Sequence, residues 1–220
     1  MKISVIIAAG GFGRRMGKPK QFLPLLGKSV IEWTLDVFKS IKTIKQIVLV
    51  VSGDDIGKAK SFGVEVVEGG VERQDSVSNG LKLISADTDF VIVHDGARPL
   101  ITPDIIEKAI SDAKIYGAAV VGVPIKDTLK RVDKDLMVCD TVDRSIIWQA
   151  QTPQVFKYEI ITRAYKNAKS KATDDSKLVE DLGIKVKMVM GLYENIKITT
   201  PEDLIAAEAI IRRRNDLSKL

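Results

Sequence analysis

Ile3-Ser4-Val5-Ile6-Ile7 lacks the alternation of a half-exposed strand and runs into Ala8-Ala9-Gly10-Gly11. Such a segment is a strand hidden on both faces, so it belongs inside a sheet with cover above and below. Ala8 and Ala9 carry almost no side chain, which lets a ligand ring lie against the backbone. Gly10, Gly11 and Gly13 allow the main chain to turn its N–H groups toward an anion. Arg14, Arg15, Lys18 and Lys20 then bring about four positive charges, comparable in size to the negative charge of a nucleoside triphosphate. The stretch reads as a phosphate cradle. An ordinary βα turn with solvated basic residues is the plainer alternative. A dinucleotide fingerprint does not fit, because the sixth position counted from Gly11 through Gly13 is Met16. A Walker loop does not fit either: Gly27-Lys28-Ser29 has Phe22 where that loop needs glycine.

Downstream, apolar strands alternate with helical segments. Ser29-Val30-Ile31-Glu32 is a capping box that opens a helix to about Ser40. Strands are expected at Ile47–Val51, Gly63–Val67, Phe90–Val93, Ala118–Val123, Gly183–Met190 and, briefly, Ile196–Ile198. Asp75 or Ser76 is placed to cap a helix bearing Val77, Leu81 and Ile84. Thr102-Pro103-Asp104 opens another, and Thr200-Pro201-Glu202-Asp203 a last one with Leu204, Ala207 and Ile211 inside. The pattern predicts an α/β fold: a Rossmann-like, mostly parallel sheet with helices on both faces. Ligands of such sheets bind at the carboxyl ends of the strands. That rule gathers residues 8–20, 67–76 and 94–99 at one edge. The alternation breaks at Ile125–Thr152, where Thr128–Val132, a turn at Asp133-Lys134-Asp135 and Met137–Val142 read as a projecting hairpin. Its apolar residues need cover, which a second subunit can provide. The expectation is one domain over 1–220 carrying an inserted β-arm at about 125–152.

The 220 residues suffice for one large domain, and a net charge of +5 suits an anionic ligand without demanding nucleic acid. Arg212-Arg213-Arg214, at the end of the last helix, reads as a solvated run that complements the helix dipole. A single cysteine, Cys139, excludes an internal disulfide framework and agrees with a reducing compartment. No signal-peptide pattern and no membrane-length apolar run is present, so no membrane association and a cytoplasmic location are expected.

Two further loops carry chemistry. In His94-Asp95-Gly96-Ala97-Arg98-Pro99, a carboxylate at a strand end opposite the phosphate loop is well placed for Mg²⁺. The simpler alternative has Asp95 capping a turn while Arg98 neutralises it. His94, the lone histidine, reads as a packed core or turn residue, since no second histidine or cysteine completes a site with it. In Glu68-Gly69-Gly70-Val71-Glu72-Arg73-Gln74-Asp75-Ser76, the glycines expose backbone polar groups, Ser76 can bond a base edge, and Arg73 can add a phosphate contact.

Taken together, Ala8-Ala9-Gly10, Gly13, Arg15-Met16 and Pro19-Lys20-Gln21 resemble the sugar-phosphate nucleotidyltransferases. With Gly70, Arg73–Val77, His94–Pro99, Asp143-Arg144, Gln151–Gln154, Asn195–Thr199 and Pro201–Leu204, the whole chain is similar to the 2-C-methyl-D-erythritol 4-phosphate cytidylyltransferase family. It departs from the family pattern by an extra residue in Gly10–Gly13, a short Met16–Pro19 spacing, and Gly96 in place of alanine. The resemblance implies attack of methylerythritol phosphate on the α-phosphorus of CTP, in non-mevalonate isoprenoid precursor biosynthesis. It implies that Arg15 and Lys20 stabilise the transition state, and that Arg144 and Lys197 position the acceptor's phosphate. Ala8, Ala9, Gly10, Gly11, Gly13, Gly70, Arg73 and Ser76 would surround the nucleotide. Asp95, Arg98, Thr128 and Thr152 would meet the acceptor, with Asp95 also holding Mg²⁺. It further implies a homodimer clasped through the arm. A ribitol 5-phosphate cytidylyltransferase is the alternative within the class, and a catalytically silent nucleotide-binding regulator the alternative outside it.

Overall fold

The structure is a computed structural model that describes residues 1–11 and 19–217. After β1 (Ile3–Ala9), a small ladder of β2 (Pro24–Leu25) and β3 (Lys28–Ser29) leads into α1 (Val30–Ser40). Then come β4 (Ile44–Val51), α2 (Ile56–Ala59), β5 (Glu65–Glu68), α3 (Arg73–Leu81), β6 (Phe90–Asp95), α4 (Pro103–Tyr116) and β7 (Ala118–Pro124). The hairpin is β8 (Leu129–Val132) with β9 (Val138–Val142). The chain continues as β10 (Trp148–Lys157), α5 (Tyr158–Lys166), α6 (Asp175–Glu180), β11 (Lys187–Met190) and α7 (Pro201–Leu217).

Seven strands form the central sheet in the order β11-β7-β10-β6-β1-β4-β5. All run parallel except β10, which pairs antiparallel with both β6 and β7. Val5 and Ile7 of β1 pack on one face with Leu35 and Phe38 of α1 and Ile106 of α4. Ile6 faces the other way, toward Val77 of α3, and that side also holds Ile161 of α5 and Val179 of α6. The unbroken apolar run of β1 thus has a partner layer on each side, as a doubly covered strand requires.

Helix entries follow local chemistry. Ser29 and Glu32 form the reciprocal capping box of α1, and Thr102 with Pro103 opens α4. The α3 entry differs from expectation: Glu72 is the N-cap and Asp75 the returning side chain, so the helix starts before Asp75 and Ser76. Residues 196–198 form no strand; Ile198 is instead fixed by donation from its N–H to the Ala97 carbonyl at 2.8 Å. The basic run of α7 is not simply solvated, since Arg213 and Arg214 pair with Glu194, and Arg214 also donates to the Leu100 carbonyl at 2.9 Å.

The hairpin lies where the alternation breaks. Its turn is closed by Asp133 Oδ1, which accepts from the N–H groups of Asp135 and Met137 at 2.9 and 3.0 Å. Leu136, Met137 and Val138 are exposed at 79, 66 and 60%, an apolar tip that the described residues leave uncovered. The segment returns to the sheet earlier than residue 152, because Trp148, Gln149 and Ala150 already pair with β7. Thr152 therefore sits in the central sheet and not on the arm.

Candidate active site

The carboxyl ends of β1 and β6 lie side by side, with Ala8 paired to Asp95. A cleft of about 400 Å³ opens there, walled by Ala8, Ala9, Gly10 and Gly11 on one side and by Gly70, Arg73 and Ser76 on another. Lys20, Asp95 and Lys197 complete it. Gly70 is required by close packing, since a Cβ there would fall 2.2 Å from Asp75 Cβ. Ser76 shapes this wall: its Oγ accepts from the Gly70 N–H and donates to the Glu72 carbonyl, both at 3.1 Å. Gly96 is also tightly placed, with a Cβ there meeting Ala9 Cβ and Ile31 Cδ1 at 2.9 Å.

Asp95 is the electrostatic centre. Its Oδ1 accepts from Arg73 Nε at 3.1 Å, and its Oδ2 lies 3.3 Å from Arg98 Nε and 3.0 Å from Lys197 Nζ. Burial alone would raise its pKa, but Lys197, Arg73 and Arg98 outweigh that and hold the carboxyl well below the usual range. Arg73 is shared with a second buried carboxylate, Asp175, at 2.8 Å, and Tyr165 donates its hydroxyl to Asp175 at 2.5 Å. Burial works against the Arg73 charge, while Asp175 and Asp95 together push its pKa up. Asp175 and Tyr165 are not legible in the sequence, because neither falls in a recognisable spacing and their partner Arg73 is far away in the chain.

Behind Asp95 lies a polar floor. The Asp95 N–H donates to Thr152 Oγ1 at 3.0 Å, and Thr152 Oγ1 is 3.1 Å from His94 Nδ1. His94 is fully buried and tilted against Phe38, and burial pushes its pKa down to about 3, so it is neutral. This is the packed role expected of it. Asn195, also fully buried, donates to the Thr152 carbonyl at 2.9 Å and to Gln151 Oε1 at 3.0 Å, while its own carbonyl accepts from Arg98 at 2.7 Å. These bonds fix the segment that carries Lys197.

The cleft thus gathers Ala8, Ala9, Gly10, Gly11, Lys20, Gly70, Arg73, Ser76, Asp95 and Lys197, with Arg98 and Thr152 directly behind. Gly13 and Arg15, with Arg14 and Lys18, lie outside the described residues. Thr128 and Arg144 do not line the cleft of their own chain. Both are exposed at the root of the arm, where Arg144 donates to the Lys126 carbonyl. Asp95 pairs with Arg98, as the simpler alternative has it, and it also lines the cleft.

Metal capacity can be judged from the donors. Among the described residues no group of three or more His, Cys, Asp or Glu side chains forms a metal cage. A carboxylate offers about four lone-pair positions, and three cations occupy three of those on Asp95. Among the described residues none takes the second position on Oδ1, which fits a hard ion that takes one protein carboxylate and completes its shell with substrate phosphates and water.

The comparisons with known proteins agree with this geometry. The sequence profile of the 2-C-methyl-D-erythritol 4-phosphate cytidylyltransferase family matches residues 3–213. Proteins of that name from Alkaliphilus oremlandii and Caldanaerobacter subterraneus are 46 and 44% identical, over 98 and 97% of this chain and 97 and 100% of theirs. The crystal structure of 4-diphosphocytidyl-2C-methyl-D-erythritol synthase from Anaerococcus prevotii superposes with a TM-score of 0.86 at 35% identity, covering 96% of this chain and 98% of that one. That of the Thermus thermophilus cytidylyltransferase gives 0.84 at 33%, covering 96 and 100%. The chain belongs to the 2-C-methyl-D-erythritol 4-phosphate cytidylyltransferase family.

Proposed function

We propose that the protein transfers the cytidylyl group of CTP to 2-C-methyl-D-erythritol 4-phosphate, releasing pyrophosphate and forming the CDP-alcohol used in isoprenoid precursor synthesis. The observation that carries this reading is the pairing of a small-residue wall, Ala8–Gly11, with Lys20 in the same cleft and with Arg73, Arg98 and Lys197 converging on the buried Asp95. The wall leaves room for a nucleoside, and the cations suit a triphosphate meeting a phosphate monoester.

The nucleophile needs no general base. A phosphate monoester has its second pKa near about 6 and is mostly ionised at neutral pH. A buried, neutral His94 is therefore no obstacle, and the barrier is the crowding of negative charge at the α-phosphorus. Preorganised cations lower that barrier because they are in place before charge develops. We assign that task to Lys20 together with Arg15. Lys197 and Arg98, oriented by Asp95, face the acceptor's phosphate. Asp95 would hold Mg²⁺ through its remaining lone pair, and such an ion would supply further charge neutralisation on the phosphates.

We further read the chain as one domain acting as a homodimer, in a cytoplasmic setting without membrane or nucleic-acid partners. The uncovered apolar tip of the arm supports the dimer, and the exposure of Thr128 and Arg144 at its root supports their use in a neighbour's acceptor pocket. Among the described residues no helix is long and apolar enough to cross a membrane.

Pyrophosphate release from CTP and Mg²⁺ against a panel of polyol phosphates tests the substrate assignment. Turnover is expected with methylerythritol phosphate and at most weakly with ribitol 5-phosphate. A preference for ribitol 5-phosphate would replace the acceptor, and release with none of the panel would overturn the function.

A further inference from the structure

The hydrogen bonds around His94 have a fixed polarity. The Arg98 carbonyl, 3.2 Å from His94 Nε2, can only accept, so Nε2 carries the proton. Thr152 Oγ1 takes the Asp95 N–H at 3.0 Å, which turns its own proton toward Nδ1 at 3.1 Å, so Nδ1 accepts. Both ring nitrogens and the hydroxyl proton are thus committed inside the protein. Thr152, only 4% exposed, has no proton left to give an acceptor substrate.

We propose that His94 is a positioning residue for the cytidylyl transfer: it acts through Thr152 on the backbone of Asp95 and through the Arg98 carbonyl on the residue that neutralises it. The proposal rests on the cytidylyltransferase reading for the reaction it serves. The carboxylate that gathers Arg73, Arg98 and Lys197 is held from behind by a directional relay, so its cations are in place before substrate arrives. Thr152 is a link in that relay and serves the site of its own chain. A displacement of about 1 Å at a reacting centre can cost on the order of 10²-fold in rate, which sets the scale of the effect.

Because His94 is the lone histidine, ¹⁵N-histidine labelling of untagged protein gives one pair of ring signals. The expected spectrum at pH 7 is a neutral Nε2–H tautomer whose bare Nδ1 signal shifts in Thr152→Val and stays in place in Thr152→Ser. In parallel, Thr152→Val and His94→Phe should each lower kcat roughly 10- to 100-fold, with KM for CTP changed less than about threefold. The double variant should be no worse than the poorer single one, because the two side chains act as a unit. An imidazolium, an Nδ1–H tautomer, an unmoved Nδ1 signal in Thr152→Val, or multiplying losses in the double variant would overturn the proposal. If the valine and phenylalanine variants do not fold, the wild-type tautomer and the serine variant decide it. Wild-type protein that shows the expected tautomer yet transfers no cytidylyl group defeats the reading of the reaction and not the relay.

Discussion

Lys197 Nζ lies 3.0 Å from Asp95 Oδ2, joining an irregular segment late in the chain to the end of the strand beside β1. The lysine is about a third exposed, at 37%, whereas the carboxylate is buried at 8%. The ammonium therefore stands at the mouth of the cleft with its charge oriented from below. If it positions the acceptor's phosphate there, Lys197→Ala should raise KM for the polyol phosphate and lower kcat, with a combined loss on the order of 10²-fold or more. Steady-state kinetics with each substrate varied in turn checks this. An effect confined to CTP affinity would move Lys197 to the nucleotide.

Asp95→Asn removes the charge that collects three cations and would hold the metal. The expected outcome is a higher Mg²⁺ concentration for half-maximal activity, read from titrations at saturating CTP. An unaltered titration would return Asp95 to a turn-capping role.

His94 makes stability depend on pH in a defined direction. Its folded pKa, lowered to about 3 by burial, lies below the unfolded value near 6.5. Between the two the unfolded chain binds the extra proton, so stability falls as pH drops, by about 1.4 kcal/mol per unit at most. Asp95 acts in the same direction at lower pH: its depressed pKa contributes stability that is fully present above about pH 3.9 and is lost as pH falls below that value. Urea midpoints at pH 6.5 and 5 should therefore separate further for the wild type than for His94→Asn. Equal separations would show that His94 is not held neutral.

The parts of the fold legible in the sequence are those whose cause is local. β1 and β6 show as apolar runs, α1 and α4 through their capping residues, and the hairpin through its Asp-Lys-Asp turn. β10 is different, because Gln149, Gln151, Thr152 and Pro153 interrupt its apolar pattern, and proline argues against a central strand. The structure admits Pro153 where pairing with β7 shifts register between Ala150 and Gln154. α5 and α6 are hard to read from the sequence too, as one follows β10 directly and the other is a single capped turn or so. In the site, Asp95, Lys20 and Lys197 were legible as motif residues. Asn195 is also legible as part of the motif that carries Lys197, but Asp175 and Tyr165, which orient Arg73, are not, because their contacts depend on how distant segments meet.

Shared sites make a sharp prediction for the arm. Lys20→Ala and Arg144→Ala subunits, each inactive alone, should regain activity after dissociation and reassociation, because the heterodimer holds one site free of both lesions. With about half the dimers mixed and one intact site in each, activity approaches roughly a quarter of wild type. Verified exchange without recovery would mean that Arg144 serves its own chain. Placing charge at the exposed tip, as in Leu136→Glu with Met137→Glu, should shift sedimentation toward monomer.

Attack at the α-phosphorus of CTP by the acceptor's phosphate is the central claim, and the fate of an α-phosphate label tests it most directly. With α-labelled CTP, methylerythritol phosphate and Mg²⁺, all transferred label should appear in the CDP-alcohol, one mole per mole of unlabelled pyrophosphate. Label released as free CMP at the same rate without acceptor, or a product carrying the γ-phosphate instead, would contradict the account.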